Sequence, residues 1–188
     1  MGSELAPYLP EVARLRIEVF RAWPYLYAGT LEYEADYLKT YLNSPESLTV
    51  LVRDGEQVVG ASTALPLDHE TEPFTRPFRQ AGYRPEEFLY FGESVLLPAY
   101  RGRGLGGRFF QEREDHARRL GRFQQTCFAA VERPPTHPLR PADYLPLNSF
   151  WERRGYKRQP ELAMELAWQD VDQPQETEKR LVFWLKPL

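Results

Sequence analysis

Two stretches of the sequence hold residue types able to do chemistry. The first is Arg101-Gly102-Arg103-Gly104-Leu105-Gly106-Gly107, between an apolar run and a helix-forming run. Glycines accept positive φ, so such a turn brings main-chain N–H groups close together and turns them outward. The helix that follows adds unpaired N-terminal N–H groups and the positive end of its dipole, and Arg101 and Arg103 add charge. The product is a concave anion site suited to a pyrophosphate. The same glycines also suit a plain strand-to-helix turn, because a lone Gly-x-Gly-x-x-Gly match is weak. No Gly-Lys-Ser/Thr follows, which excludes a phosphate-loop nucleotidase, and the position after an antiparallel hairpin disfavours a dinucleotide fold.

The second stretch is FLYFGESVLL, residues 88 to 97, whose single carboxylate is Glu93. Strand alternation places Glu93 on the face of Phe91, Val95 and Leu97. Burial there raises a carboxyl pKa toward neutrality, as a general base requires. A buried glutamate paired with an arginine is the competing expectation. His69, His116 and His137 show no ligand spacing, so no metal is expected. His137, within PTHPLRP, suits a loop base or a turn-bound ring.

These residues need elements to position them. Apolar spacing predicts helices over 11–21 and 31–42, then strands over 47–53 and 57–64 around the hairpin signal Asp54-Gly55. Residues 66–87 hold four prolines and read as a long loop with one short helix at most. Strands are expected at 88–97 and 125–132, both apolar on both alternations, with a helix from the glycine turn to Gly121 between them. A proline-rich connection, 134–146, leads to a short helix ending at Gly155, and strands over 162–168 and 180–186 close the chain. The order implies an α/β sandwich with a mixed sheet. In the helix after the turn, Leu105, Phe109, Phe110, Ala117 and Leu120 mark the apolar arc, and Arg113 falls in its middle. A buried arginine there is expected to have an internal acidic partner.

The chain has 188 residues and a net charge of −3, from 24 Lys+Arg against 27 Asp+Glu. The length points to one domain over 1–188 with a real core. An acidic balance argues against a nucleic-acid partner, which demands cations to displace phosphate counterions. The single cysteine, Cys127, precludes an internal disulfide. No run of about 18 apolar residues is present to span a membrane, and the N-terminus lacks a signal-peptide pattern, so a cytoplasmic protein is expected.

LLPAYRGRGLGGRFF resembles the acyl-CoA motif of the GNAT superfamily of N-acetyltransferases, Arg/Gln-x-x-Gly-x-Gly/Ala, here Arg101, Gly104 and Gly106. Phe150-Trp-Glu-Arg-Arg-Gly-Tyr156 is similar to its second signature. The resemblance spans roughly residues 11–188. It implies a GNAT-like mixed central sheet with helices on both faces and a splayed parallel strand pair. It also implies acetyl-CoA as co-substrate, its pantetheine arm on the main chain of Val95, Leu96 and Leu97. The pyrophosphate then sits on Arg101, Gly102, Arg103, Gly104, Leu105, Gly106 and Gly107, and strand 125–132 forms the other wall. An amine attacks directly, with Glu93 as base, because some relatives place a glutamate on this strand. Trp151 stands where many relatives have a tyrosine acid, and Tyr144 where many have an asparagine; Tyr144 is the replacement hydroxyl or a packed ring. An acyl-cysteine route through Cys127 competes with a plain core role for that residue. Relatives build the acceptor pocket where this chain has Trp23-Pro-Tyr-Leu-Tyr27, which nominates Tyr25 and Tyr27. The expected partner is a small-molecule amine or amino-acid-like acceptor. Leu181-Val-Phe-Trp-Leu185 reads as an internal strand or as an intersubunit strand of a homodimer. The alternative, favoured by Trp151, is a non-catalytic acyl-CoA sensor; an RNA contact at Arg101–Arg103 is disfavoured by the acidic balance.

Overall fold

Apolar runs separated by glycine and proline breaks become six strands and six α-helices in a computed structural model, which describes residues 2–188. The Asp54-Gly55 signal turns the chain between β1 (Leu48–Asp54) and β2 (Gln57–Pro66). β2 pairs antiparallel with β3 (Phe88–Leu96), and β3 pairs parallel with β4 (Gln125–Val131). β6 (Glu176–Pro187) adds to β4, and β5 (Lys157–Gln169) adds to β6, giving the order β1-β2-β3-β4-β6-β5. The parallel pairing covers only Phe88↔Gln125, Leu89↔Thr126 and Tyr90↔Cys127. Beyond Tyr90 the two strands part, so the mixed sheet contains the splayed pair that the sequence motifs imply.

Helices cover both faces. α1 (Leu9–Phe20), α2 (Leu31–Tyr37), α3 (Lys39–Asn43) and α4 (Glu72–Gln80) lie on one side. There Val12, Leu15, Tyr41, Phe74 and Phe78 bury Phe88, Tyr90, Val95 and Phe183. On the other side α5 (Leu105–Leu120) and α6 (Asn148–Glu152) set Phe110, Ala117 and Phe150 on Leu89, Phe91, Phe128 and Trp184. Each of the valine, leucine and phenylalanine side chains among them contributes about 1.5–3 kcal/mol by leaving water.

Three expectations change. The helix expected over 31–42 breaks at Leu38 into α2 and α3. The proline-rich 66–87 segment contains the nine-residue helix α4: Pro73 falls in its first turn, where the missing N–H has no partner to lose, and Pro77 inside the helix forgoes one intrahelical hydrogen bond. The closing strands run longer than their apolar centres, since their outer residues alternate with solvent. Among the described residues, no strand precedes α1, and no helix is long and apolar enough to cross a membrane.

Candidate active site

β3 carries one extra residue at the point where it leaves β4. Ser62 faces Ser94 and Ala64 faces Phe91, so three residues of β2 stand against four of β3. This is a β-bulge at Gly92–Glu93. A Cβ at Gly92 would collide with the Tyr41 hydroxyl and lie 2.7 Å from Thr63 Oγ1, so only glycine fits. The bulge overturns the simple alternation: Phe91 joins the α5-side cluster, while Val95 and the Glu93 carboxylate lie on the α1 side. One inserted residue inverts every side chain beyond it.

Arg113 completes the bulge from the other face. Its Nη1 donates to Thr63 O (3.3 Å) and Glu93 O (3.1 Å), its Nη2 to Ser94 Oγ (2.9 Å), and its Nε to Phe109 O (3.1 Å). The guanidinium also lies 4.2 Å from the Phe91 ring centre. It is buried, as its place in the apolar arc predicts. The expected acidic partner is replaced by main-chain carbonyls, because the interrupted ladder leaves acceptors that a fork of N–H donors satisfies. Burial lowers its pKa to about 10, which keeps it charged at neutral pH.

Where the strands part they enclose a cleft of about 980 Å³. The turn after β3 borders it through Arg101, Gly102, Gly104, Leu105, Gly106 and Gly107. Gly102 and Gly104 hold φ of 75° and 81°, and Gly104 caps α5. Arg101 donates to Leu96 O (3.2 Å) and Arg103 to Ala99 O (3.0 Å); among the described residues neither forms an ion pair. Arg154 adds a cation from the second signature, its Nη2 2.6 Å from where a Cβ of Gly107 would sit. The bond from Leu97 N–H to Val59 O (3.0 Å) sets the phase of the β2–β3 ladder. Ser94 and Leu96 therefore turn their main-chain groups toward the splay. Of the three strand residues nominated, Leu96 lines the cleft, Val95 is core on the far side, and Leu97 lies outside the lining. Arg103 also stands outside it. Gly104→Val is expected to raise the dissociation constant for acetyl-CoA at least about tenfold in calorimetry, since a β-branched residue resists that φ.

Glu93, the second residue of the bulge, borders the cleft. It is 4% exposed and ion-paired with Arg16 of α1, which is the arginine-paired glutamate of the competing expectation. Burial pushes its carboxyl up, Arg16 pulls it down, and the neighbouring Glu34 raises it again; the net direction is upward. Arg16 and Glu34 escape a motif search. The arc test that singles out Arg113 also singles out Arg16, which stands with Val12, Leu15 and Val19 at i, i+3, i+4 and i+7 positions of α1.

Tyr25 and Tyr144 line the same cleft, and Tyr144 meets Trp23 edge-on at 5.9 Å. Tyr27 is turned away, against Tyr33 and Glu34. The Trp23–Tyr25 segment is held by Arg133, which follows β4. Arg133 donates to Pro24 O (2.9 Å) and Tyr25 O (2.7 Å) while pairing with buried Asp170 at 2.7 and 2.8 Å. Trp151 packs on Phe128 and Trp184 at 5.0 and 5.1 Å. Cys127 is fully buried in the α1-side core, outside the cleft lining, which removes the acyl-cysteine route. His137 accepts from Leu139 N–H (3.2 Å) as a turn-bound ring.

Glu70 is buried beside this region, and burial pushes its carboxyl up to about 7. Its folded pKa exceeds its unfolded one, so its contribution is present at low pH and lost as pH rises through about 7. Glu70→Gln is expected to remove about 3 kcal/mol of stability loss between about pH 4 and about pH 9 in urea unfolding.

The acetyltransferase (GNAT) family model matches residues 12–141, more than half of the chain. The chain belongs to the GNAT acetyltransferase family. Solved GNAT folds agree over nearly the whole length. An acetyltransferase from Thermus thermophilus is 20% identical, with a TM-score of 0.56 and coverage of 100% of this chain and 94% of that one. The ribosomal-protein-alanine N-acetyltransferase of Brucella melitensis is 16% identical, with a TM-score of 0.61 and coverage of 97% and 95%. An aminoglycoside 6'-N-acetyltransferase in complex with coenzyme A is 15% identical, with a TM-score of 0.56 and coverage of 95% and 91%. At these identities the likeness is one of fold. A search of curated protein sequences finds no match.

Proposed function

We propose that this GNAT protein is an acetyl-CoA-dependent N-acetyltransferase acting on a small amine. The observation that carries the reading is the shared cleft. A glycine turn on a helix N-terminus borders it on the β3 side, Glu93 stands where the strands part, and Trp23, Tyr25 and Tyr144 border it beside β4. The likeness in fold to an aminoglycoside acetyltransferase complexed with coenzyme A supports it.

Acetyl-CoA supplies an activated acyl group as a thioester. The turn's N–H groups, the α5 dipole, Arg101 and Arg154 bind its diphosphate. The outward main chain of Ser94 and Leu96 pairs with the amide-bearing arm. Glu93 takes the proton that an ammonium must lose before it is nucleophilic. The nitrogen–carbon bond forms as the carbon–sulfur bond breaks, the thiolate leaves, and the second proton shed by the acylated nitrogen passes to the thiolate or to water. A thiol pKa of about 8.5 makes a dedicated acid dispensable, which suits a chain with Trp151 in the tyrosine position. The aromatic side receives the acceptor by apolar and cation–π contact.

The test is release of free thiol from acetyl-CoA against a panel of small amines. Amine-dependent release is the expected result. Bound acetyl-CoA with no release for any amine would instead establish the non-catalytic sensor, the reading Trp151 favours. Trp151→Phe is expected to keep turnover within about threefold, because the indole N–H moves no proton.

A further inference from the structure

Arg16 is claimed by two carboxylates. Its Nε donates to Glu34 Oε2 and its Nη1 to Glu93 Oε2. All three side chains are nine-tenths buried or more. The guanidinium is fixed further by the rings of Phe20 and Tyr37, 5.1 and 4.6 Å away. Glu34 does not line the cleft, belongs to neither signature, and is fully buried on α2. A buried carboxylate held by an arginine of its own is a poor base, because the cation stabilises its charged form. A second carboxylate on the same guanidinium divides that attraction and repels the first.

We propose that Glu34 is a positioning residue: by competing for Arg16 it leaves Glu93 anchored at the parting of the strands but not neutralised. The inference rests on Glu93 as the base of the proposed transfer. The titratable and charged groups around Glu93 are Arg16 on α1, Tyr25 after it, Glu34 and Tyr37 on α2, Tyr41 on α3, Glu70 before α4 and Arg113 on α5. Arg16 and Arg113 are the cations of this set. Arg113 is spent on the bulge carbonyls, so among the described residues Arg16 is the one cation on the carboxylate, beside the Thr63 hydroxyl, and Glu34 is the one other anion on Arg16.

The experiment compares the pH profile of kcat/KM for wild type, Glu34→Gln and Glu93→Gln. Glu34→Gln is expected to move the acid limb about one unit lower and to reduce the plateau kcat about threefold, with the KM for acetyl-CoA unchanged. Urea unfolding across pH supplies a readout independent of turnover. Glu93's raised folded pKa means stability is lost as pH rises; Glu93→Gln removes that loss, and Glu34→Gln shrinks it. The double variant isolates the coupling of the pair. An unmoved acid limb in Glu34→Gln, with Glu93→Gln impaired, overturns the role of Glu34 alone. Normal turnover in Glu93→Gln overturns the base assignment and this role with it. Should Glu34→Gln not fold, Glu34→Asp carries the test: the retreating carboxylate is expected to move the limb part-way, and a wild-type limb overturns the proposal.

Discussion

Glu93→Gln is expected to lower kcat about a hundredfold at neutral pH while leaving acetyl-CoA affinity within about twofold. The substitution keeps the volume and the hydrogen bond from Arg16 but cannot take a proton. The cleft and the glycine turn do not depend on the side chain, because the bulge is closed by main-chain carbonyls on Arg113. Steady-state kinetics beside calorimetry separate the two effects. A parallel loss of affinity and rate would mean that Glu93 supports the cleft rather than the chemistry. Unchanged turnover would leave it as a structural ion-pair partner of Arg16.

Arg113→Met should cost about 3 kcal/mol or more of folding stability. Methionine fills a similar space against Phe91 and Phe110 but donates nothing. Thr63 O and Glu93 O then lose a buried donor each, at about 1–3 kcal/mol apiece, and Ser94 Oγ loses a third contact. Arg113→Lys keeps the charge but cannot reach both carbonyls and Ser94 together, so an intermediate loss is expected in urea unfolding. A loss near zero for methionine would show that the bulge closes without the guanidinium.

Much of the architecture was readable because local chemistry agreed with the final packing. Asp54-Gly55 turns a hairpin, FLYFGESVLL is a central strand, and the glycine turn opens a long helix. The buried place of Arg113 followed from 100° per residue alone. The details of the site were less legible for a physical reason. Gly92 inside the strand is the one local cue to the Gly92–Glu93 bulge, but which faces Phe91 and Val95 take is fixed only by the register of β3 against β2. The partner of Arg113 depends on carbonyls that the bulge leaves unpaired. Arg16 meets Glu93 across 77 positions of sequence, a distance no local pattern spans. Tyr25 and Tyr27 look equivalent in sequence. Arg133 draws the main chain at Pro24 and Tyr25 to the cleft, while Tyr27 turns toward Glu34.

The most direct test is calorimetry of the wild-type protein with acetyl-CoA and, separately, with acetyl-pantetheine, which keeps the thioester and arm but lacks the diphosphate. Main-chain binding at the Gly104 turn predicts single-site heat with acetyl-CoA and affinity weaker by at least about a hundredfold for the truncated compound, since each lost charge-assisted contact costs about 1.5–3 kcal/mol. Equal affinities, or no heat with acetyl-CoA at millimolar concentration, would contradict it.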